Sequence, residues 1–307
     1  MQKSNSIKKK RTDKEKVIFI LFCITIPIIQ WLIFYVYANV DSIFMAFRDP
    51  NGALTMENFK RFFVELKTPS SDIRLAFKNT FITFLILLVT YPFKVLVSYF
   101  LYKKVPGSAV FRVLFFLPSI LFSVCTAMVF TRFVGTTGII AKAVQEMLHL
   151  DYVPELLADS RFANIVVLLN MVWLGFPGDL IIWGGTFARI PNEVLESGKI
   201  DGVNWWTEFT KIMVPLVWPT LSLQMILMFC GIFGASGQVF LLTGGGYGTI
   251  TLSVWMYKVV LENSGNMYTS NVYNYLSAVG LMITIVAVTM SLCIRKFTDK
   301  AFDDVDF

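Results

Sequence analysis

Six apolar stretches, each long enough to cross a lipid bilayer, dominate the amino-acid sequence. They cover residues 17–39, 77–101, 111–133, 163–189, 216–242 and 272–294. Lipid offers no partners for backbone polar groups, so an apolar stretch of about 20 residues crosses it as a helix. With 55% hydrophobic and 16% charged residues, the 307-residue chain is also more apolar than a soluble domain. The sequence therefore predicts an all-α integral membrane protein with six transmembrane helices.

Charge at the two ends of the chain predicts its orientation. Residues 1–16 form a basic tail with seven Lys and Arg, and residues 295–307 form a shorter polar tail. Cytoplasmic segments carry an excess of Lys and Arg, so we expect both tails in the cytoplasm, on either side of a six-span domain over residues 17–294. The net charge of +6 is explained by basic residues at membrane boundaries, and no nucleic-acid partner is expected.

Cysteine and histidine give no metal site or disulfide framework in this sequence. All four cysteines fall inside apolar stretches, where we expect them to serve as packing residues. The lone histidine, His149, stands in a polar loop with no second ligand near it.

Proline predicts an irregular helix in three of the spans, because its ring prevents one helical hydrogen bond. Pro92 interrupts the second span, Pro118 kinks the third, and Pro177 with Gly178 breaks the fourth. After the fifth span, the sequence LTGGGYG at residues 242–248 predicts a flexible external turn.

Two ionisable residues lie inside the predicted spans, where an unpaired charge is costly. Lys94 in the second span must face a cavity or extend its ammonium group to the membrane surface. Asp179 in the fourth span either faces a pore or a partner charge, or caps the helix break at Pro177. A substrate role and a structural role for Asp179 both remain open.

The polar stretch NEVLESGKIDGVNWWTEFTKIMVPL, residues 192–216, separates the fourth and fifth spans. Glu193 and Glu196 share one helical face, whereas Gly198 and Gly202 leave the opposite face without side chains, so that a partner surface could approach closely. Gly202 also weakens the helix at this point. The stretch therefore predicts a cytoplasmic helix and turn that present a docking surface.

A second helix is predicted after Gly202, because Asn204 can cap it. Its apolar residues recur at helical spacing and are Trp205, Trp206, Phe209, Ile212, Met213 and Leu216. We expect this helix to lie along the lipid interface, which tryptophan favours, and to end at Pro215.

The same stretch resembles the EAA loop of ATP-binding-cassette (ABC) importer permeases, the segment that docks on the cytoplasmic ATPase. The match consists of Glu196-Ser197-Gly198, three residues, Gly202, nine residues, and IMVP at 212–215. The resemblance implies that the ATPase-coupling residues are Glu193, Glu196, Ser197, Gly198, Asp201, Gly202, Ile212 and Pro215. The alternative is an ordinary cytoplasmic loop of another transporter.

Further motifs extend the resemblance over most of the chain. MENFKRFF, AFKNTF, FRVLFFLPSI and LTGGGYGTITLSVWMY are similar, in order and spacing, to six-span permeases of carbohydrate uptake systems. This resemblance implies a type I importer permease in a bacterial plasma membrane, working with a second permease subunit, an ATPase dimer and an extracellular solute-binding protein. The chain has no GxxxxGK[ST] loop, so it is not expected to be an enzyme, and ATP and magnesium belong to the partner ATPase.

A sugar path needs side chains that hydrogen-bond hydroxyl groups and aromatic rings that cover apolar sugar faces. The third, fourth and fifth spans supply both, and the candidates are Ser119, Ser123, Asn170, Trp173 and Gln224. The resemblance to maltose-type permeases adds, as matching positions in these spans, Met171, Gly175, Gly178, Met228, Ile232 and Ala235.

Two alternatives to direct sugar contact remain open. The matching positions in the fifth span are apolar here, so this subunit could line a passage whose polar contacts come from its partner. Asn170 and Gln224 could equally bond neighbouring helices.

A secondary transporter or channel is the alternative function, with Lys94 and Asp179 relaying ions. The absence of a visible inverted repeat between the two halves of the sequence disfavours it.

Overall fold

The computed structural model describes residues 2–234, 237–263 and 269–301. In these ranges the regular elements are helices, apart from an isolated antiparallel bridge between Arg48 and Leu54. Six helical segments are long and apolar enough to cross a membrane, as predicted: Lys14–Ala46, Asp72–Tyr102, Ser123–Leu148, Ala163–Phe187, Trp218–Thr243 and Asn271–Thr298. The predicted tail at 295–307 is described only as far as Ala301.

The chain divides into two compact units, of which the first comprises Met1–Phe63 and Asn263–Met282. Its helices are α1 (Gln2–Trp31), a π-helical segment (Leu32–Tyr37), α2 (Ala38–Ala46), the start of α3 (Glu57–Lys67) and the first part of α15 (Thr269–Ala301). The most apolar window of the first spanning segment has no buried residue. Such a surface is stable only against lipid or another apolar protein surface.

Side-chain amides stabilise the turn that follows α2 in this unit. The buried Asn58 Nδ2 donates to the carbonyl oxygens of Ala46 and Arg48, at 3.1 and 2.9 Å. Asn274 Nδ2 donates to the carbonyl oxygen of Asp49 at 3.2 Å. These bonds satisfy carbonyl groups at and beyond the end of α2, where helical partners are missing.

The second unit comprises Val64–Glu262 and Ile283–Phe307. Its main helices are α4 (Asp72–Tyr102), α5 (Ser108–Ile120), α6 (Ser123–Val134), α7 (Ile139–Leu148), α8 (Ala163–Phe187), α9 (Asn192–Ile200), α10 (Trp205–Thr207), a π-helical segment (Glu208–Met213), α11 (Val214–Leu216), α12 (Trp218–Gly231), a 3-10 turn (Ile232–Gly234), α13 (Gly237–Thr243) and α14 (Leu252–Asn263).

A buried aromatic core connects α4 and α8 to the loop at residues 192–216. It consists of Tyr91, Val95, Tyr99, Trp183, Phe187, Ile190, Leu195, Phe209, Met213 and Val217. The rings of Tyr91 and Trp183 lie 6.2 Å apart, and those of Tyr99 and Phe209 lie 5.2 Å apart. Because protein interiors are close-packed, this core holds the loop closely against α4 and α8.

Two of the predicted proline interruptions are wrong. Pro92 lies inside the continuous helix α4, and Pro177 lies inside the continuous helix α8. Proline removes one hydrogen bond, but packing against neighbouring helices in a membrane can keep the helix continuous. Asp179 therefore has no helix break to cap.

The third predicted span is broken into two helices rather than kinked at Pro118. Helix α5 continues past Pro118 to Ile120, and α6 begins at Ser123. Leu121 has an extended backbone, with φ −85° and ψ 147°. Helix α7 follows in the next stretch of chain, and together with α6 it forms the third membrane-span candidate, Ser123–Leu148, rather than the predicted 111–133.

The fifth predicted span is also interrupted. Helix α12 ends at Gly231 and α13 begins at Gly237, with the 3-10 turn Ile232–Gly234 between them. Ala235, one of the positions implied by the resemblance, lies outside the described residues.

The prediction that the cysteines serve as packing residues is wrong as well, because all four cysteine side chains are exposed on this chain.

The glycine-rich turn after α13 is tied to two spanning helices and is not the free turn that its sequence predicts. Asn79 Nδ2 on α4 donates to the carbonyl oxygens of Gly248 and Ile250, at 2.7 and 2.9 Å. Asn164 Nδ2 on α8 donates to the Gly248 carbonyl at 3.0 Å. Gly248 has a φ of +77°, which favours glycine.

We expect Asn79→Ala to destabilise the assembled protein by about 1–3 kcal/mol, because the buried Ile250 carbonyl loses its side-chain donor and the Gly248 carbonyl keeps only the donor from Asn164. Asn164→Ala removes one of these donations and is expected to cost less. The unfolding midpoint of the purified complex, followed by intrinsic fluorescence, measures both effects. Equal midpoints for the Asn79 variant and the parent protein would contradict the stabilising role of this amide.

Candidate translocation and coupling site

A cavity of about 560 Å³ lies among α4, α8, α12 and α13. Its lining residues are Leu87, Tyr91, Lys94, Met171, Leu174, Gly175, Asp179, Gln224, Leu227, Met228, Gly237 and Gln238. Lys94 and Asp179 each lie eight residues before the end of their helix, and Gln224 lies six residues after the start of α12. At 1.5 Å per residue, these polar groups share one level, about 9–12 Å from the ends of α4, α8 and α12 that lie near the 192–216 loop.

The two intramembrane charges form an ion pair in the wall of this cavity. Lys94 Nζ donates to Asp179 Oδ2 at 2.9 Å. The Lys94 side chain is 6% exposed and the Asp179 side chain is 23% exposed. Lys94 therefore neither reaches the membrane surface nor stands alone, and the carboxylate is the charged group that the cavity meets.

Gly175 makes room for this ion pair. A Cβ atom at position 175 would lie 2.6 Å from Lys94 Nζ, well inside contact distance. The ammonium group is also 5.6 Å from the ring centroid of Phe176, which adds a cation–π contribution. A side chain at position 175 would therefore displace the Lys94 ammonium group from its present position.

One of the five predicted path residues, Gln224, lines the cavity. Asn170 is fully buried, and its amide atoms have no hydrogen-bond partner among the described residues. The Trp173 ring stacks on Phe130 at 6.2 Å, away from the lining. Gln224 therefore lines the cavity, whereas Asn170 and Trp173 on α8 do not.

The two serine candidates lie outside the cavity as well. Ser119 Oγ donates to the carbonyl oxygen of Phe116 at 2.8 Å, and Ser123 is the exposed first residue of α6. Of the positions implied by the resemblance, the cavity is lined by Met171, Gly175 and Met228.

Sequence reasoning placed Gln238 in the fifth span without assigning it to the path. Gln238 lines the cavity, and its buried Oε1 has no hydrogen-bond partner among the described residues. A polar side chain in an apolar span was the available signal, since buried polar groups need partners. The same described residues contain no group of three or more His, Cys, Asp and Glu that could hold a metal ion.

Helix α9 presents a polar face to solvent. Exposed side chains on this face and the next residue are Glu193, Glu196, Ser197, Lys199, Ile200 and Asp201, of which Ile200 is 86% exposed. Leu195 on the opposite face is buried in the aromatic core. Charged groups around an exposed apolar side chain are a common composition for a protein-docking surface.

Gly198 faces the π-helical segment Glu208–Met213 of this chain. The prediction that a partner surface approaches the glycine face is therefore wrong at this position. A Cβ atom at 198 would lie 3.0 Å from Ile212 Cδ1. Both of these predicted coupling residues therefore serve the internal packing of the loop. The local reason is that α9 and the following π-helical segment fold back on one another.

The turn after α9 has the predicted construction. Gly202 has a φ of +70°, and Asn204 Oδ1 accepts a hydrogen bond from the Thr207 amide at 2.8 Å. Pro215 does not end the helix predicted after Gly202, because α11 includes Pro215 and the chain turns at Val217.

A second ion pair joins the loop to the end of α4. Lys103 Nζ donates to Glu208 Oε1 at 2.7 Å, with side chains 25% and 8% exposed. This pair was not predicted from the sequence, although Glu208 stands beside the apolar stripe at 205–216. The pair lies next to Tyr99, whose ring centroid is 5.9 Å from the ammonium group.

Comparison with solved structures identifies the fold. A bacterial ABC transporter involved in the import of the acidic polysaccharide alginate matches with a TM-score of 0.76 and 19% identity, covering 94% of this chain and 98% of that chain. The same transporter in complex with an alginate pentasaccharide-bound periplasmic protein matches with a TM-score of 0.76, covering 96% and 99%. No family model matches the sequence.

Curated relatives are sugar permeases by name. MsmF, a multiple sugar-binding transport system permease of Streptococcus mutans, is 23% identical over 284 residues, covering 90% of this chain and 93% of the relative. The maltodextrin permease MalC of Streptococcus pneumoniae is 27% identical over 217 residues, and the maltose/maltodextrin permease MalF of Vibrio cholerae is 28% identical over 215. The matched regions cover 66% of this chain in both cases, but 48% of MalC and 40% of MalF.

In sequence and fold the chain is therefore similar to permease subunits of ABC importers, and its six apolar helical segments fit a multi-pass protein of the bacterial inner membrane. These relatives are named as transport permeases and not as enzymes. Within this class its relatives are carbohydrate permeases.

Proposed function

We propose that this chain carries a sugar or oligosaccharide across the membrane through the cavity among α4, α8, α12 and α13. The observation that carries the proposal is the position of this cavity. Its polar residues Lys94 and Asp179 lie on α4 and α8, and the aromatic core packs these two helices against the 192–216 loop. Movement at the loop can therefore reach the cavity wall without passing through a flexible segment.

An extracellular solute-binding protein delivers the sugar in this proposal, and a second permease subunit completes the passage. Gln224, Gln238 and Asp179 supply hydrogen-bonding groups from this chain. Tyr91 and the apolar lining residues contact the ring surfaces of the sugar. The other predicted path residues lie outside the cavity lining, and in this proposal they support the helices that form it: Ser119, Ser123, Asn170 and Trp173.

ATP and magnesium are held by a separate ATPase dimer, which docks on the exposed face of α9. Glu193, Glu196, Ser197 and Asp201 lie on this face, whereas Gly198, Ile212 and Pro215 shape the loop behind it. Closure of the ATPase dimer moves α9, and the aromatic core transmits the movement to α4 and α8.

An ion relay through Lys94 and Asp179 is disfavoured by their geometry. A secondary transporter of that kind would need two groups that exchange partners along a wet path. Here the two side chains pair directly at 2.9 Å, and the ammonium group is almost completely buried.

We expect Glu196→Lys to reduce the amount of ATPase that co-purifies with the permease by at least about tenfold, because a like charge then faces the ATPase surface that accepts Glu196. Gly202→Asp is expected to act in the same direction, since position 202 has a positive φ. The measurement is the ratio of ATPase to permease after affinity purification of the assembled complex.

Glu155→Lys is the matched control, because Glu155 is an exposed acidic residue outside the loop. This variant should retain the parental ratio of ATPase to permease. If Glu196→Lys and Gly202→Asp also retain that ratio and transport at the parental rate, the docking surface lies elsewhere.

A further inference from the structure

We propose that the Lys94–Asp179 pair makes the cavity selective for uncharged sugars over acidic ones, with Asp179 as the specificity-determining residue. This inference rests on the proposed function and extends it to the substrate class. In this inference, residues of the second and fourth spans discriminate between sugars by their charge.

The pair is asymmetric towards the cavity. Asp179 exposes 23% of its side chain, whereas Lys94 exposes 6% and lies against Gly175 and the ring of Phe176. Asp179 Oδ2 accepts the bond from Lys94, and Oδ1 has no hydrogen-bond partner among the described residues. The cavity thus meets a carboxylate oxygen with free acceptor capacity, whereas the ammonium group of Lys94, which also lines the cavity, is almost fully buried and bonded to Oδ2.

The other polar groups of the lining are amides. Gln224 and Gln238 present donors and acceptors, and the buried Gln238 Oε1 lacks a partner among the described residues. Carboxylate and amide oxygens accept hydrogen bonds from sugar hydroxyl groups. Lys94 is the one cation among the lining residues, so an incoming carboxylate would approach Asp179 without an exposed positive group to compensate it.

Like charges that approach closely repel one another, and more strongly where the surroundings are apolar. A sugar acid entering this cavity would bring its carboxylate towards Asp179, because Lys94 is already occupied by Oδ2. An uncharged sugar meets acceptors that match its hydroxyl donors. The arrangement therefore rejects uronate-containing chains and admits neutral ones.

Charged thiol reagents measure this selectivity directly in the complete importer. The four native cysteines are replaced by serine, and a single reporter is introduced by Gln224→Cys. Trimethylammonium, hydroxyethyl and sulfonatoethyl methanethiosulfonates are then compared, with each rate divided by the rate at an exposed control, Ser70→Cys. We expect the cationic reagent to react at least about threefold faster than the anionic one after this correction.

Removing the carboxylate should reverse this preference. With Asp179→Asn added, Lys94 is left as the uncompensated charge, and the anionic reagent is expected to become the faster one. Because that variant could fold poorly, Lys94→Gln with Asp179→Asn provides a second test in which both charges are absent. The double variant should react with the two charged reagents in the same ratio as the Ser70→Cys control.

Sugars of equal length complete the experiment. Maltotriose is expected to slow labelling of the reporter, whereas trigalacturonate is expected to leave it unchanged. A corrected anionic rate equal to or above the cationic rate, or protection by trigalacturonate, would overturn the selectivity. A reporter that reacts with none of the three reagents, or that neither sugar protects, would instead remove the sugar path from this cavity and refute the proposed function.

Discussion

Asp179→Asn alone is expected to destabilise the assembled importer by about 3–5 kcal/mol, the usual cost of leaving one member of a buried ion pair without its partner. Lys94 is 6% exposed and its ammonium group bonds Asp179 at 2.9 Å, so the variant leaves a buried positive charge. A loss of this size corresponds to a fall in the unfolding midpoint on the order of 10 °C. The measurement is thermal unfolding of the purified complex in detergent.

The double variant Lys94→Gln with Asp179→Asn separates the ion pair from other effects of the substitutions. It removes both charges, so we expect it to recover more than half of the stability that Asp179→Asn loses. Additive losses from the two single variants would show that the side chains do not interact energetically.

A more exposed ion pair provides the control, because its Arg161 side chain is 60% exposed, whereas its Asp159 side chain, at 21%, resembles Asp179 at 23%. Arg161 Nη2 bonds Asp159 Oδ2 at 2.6 Å, and the Arg161 guanidinium group lowers the pKa of the Asp159 carboxyl. Because solvent screens such pairs, Asp159→Asn should leave the unfolding midpoint almost unchanged. An equal fall for Asp179→Asn and Asp159→Asn would contradict the buried character of the Lys94–Asp179 pair.

Glu208→Gln is expected to leave the ATPase bound but to reduce transport-coupled stimulation of ATP hydrolysis by roughly tenfold. The Glu208 carboxylate joins the 192–216 loop to the end of α4 through its 2.7 Å bond to Lys103. A charge-assisted hydrogen bond of this kind contributes about 1.5–3 kcal/mol. Without it, movement of the loop is transmitted less efficiently to α4. The readout is ATP hydrolysis in proteoliposomes, with and without the solute-binding protein.

Two observations distinguish this coupling role from a role in docking. Lys104→Gln changes an exposed charge beside Lys103 and outside the docking face, and we expect it to retain stimulated hydrolysis because Lys104 has no ion pair in the described part of the chain. If Glu208→Gln lost the ATPase during purification, as predicted for Glu196→Lys, Glu208 would be needed for docking and the coupling role would be wrong.

The number of spanning helices could be predicted from the sequence because it depends on segment length and apolar content. A bilayer sets the minimum length of a spanning helix, and the structure contains six such segments. The turn after α9 was also predictable, since the conformation of Gly202 and the cap at Asn204 depend on neighbours within a few residues. The same loop residues carried the resemblance to ABC importer permeases, which implied the importer class.

The sequence alone could not predict which side chains face the cavity. Successive residues rotate by about 100° around a helix, and almost uniformly apolar spans carry little periodicity to show which side turns inwards. For this reason Asn170 and Trp173 were grouped with Gln224, although Gln224 alone of the three lines the cavity.

Tertiary packing decided the features on which the function depends. Lys94 and Asp179 are 85 residues apart in the chain and meet because α4 and α8 lie side by side. The same packing keeps α8 continuous through Pro177, turns Gly198 towards Ile212, and buries Glu208 beside Lys103. Apolar length determines that a segment crosses the membrane, but contacts between helices determine its rotation, and that rotation selects the charge presented to the cavity.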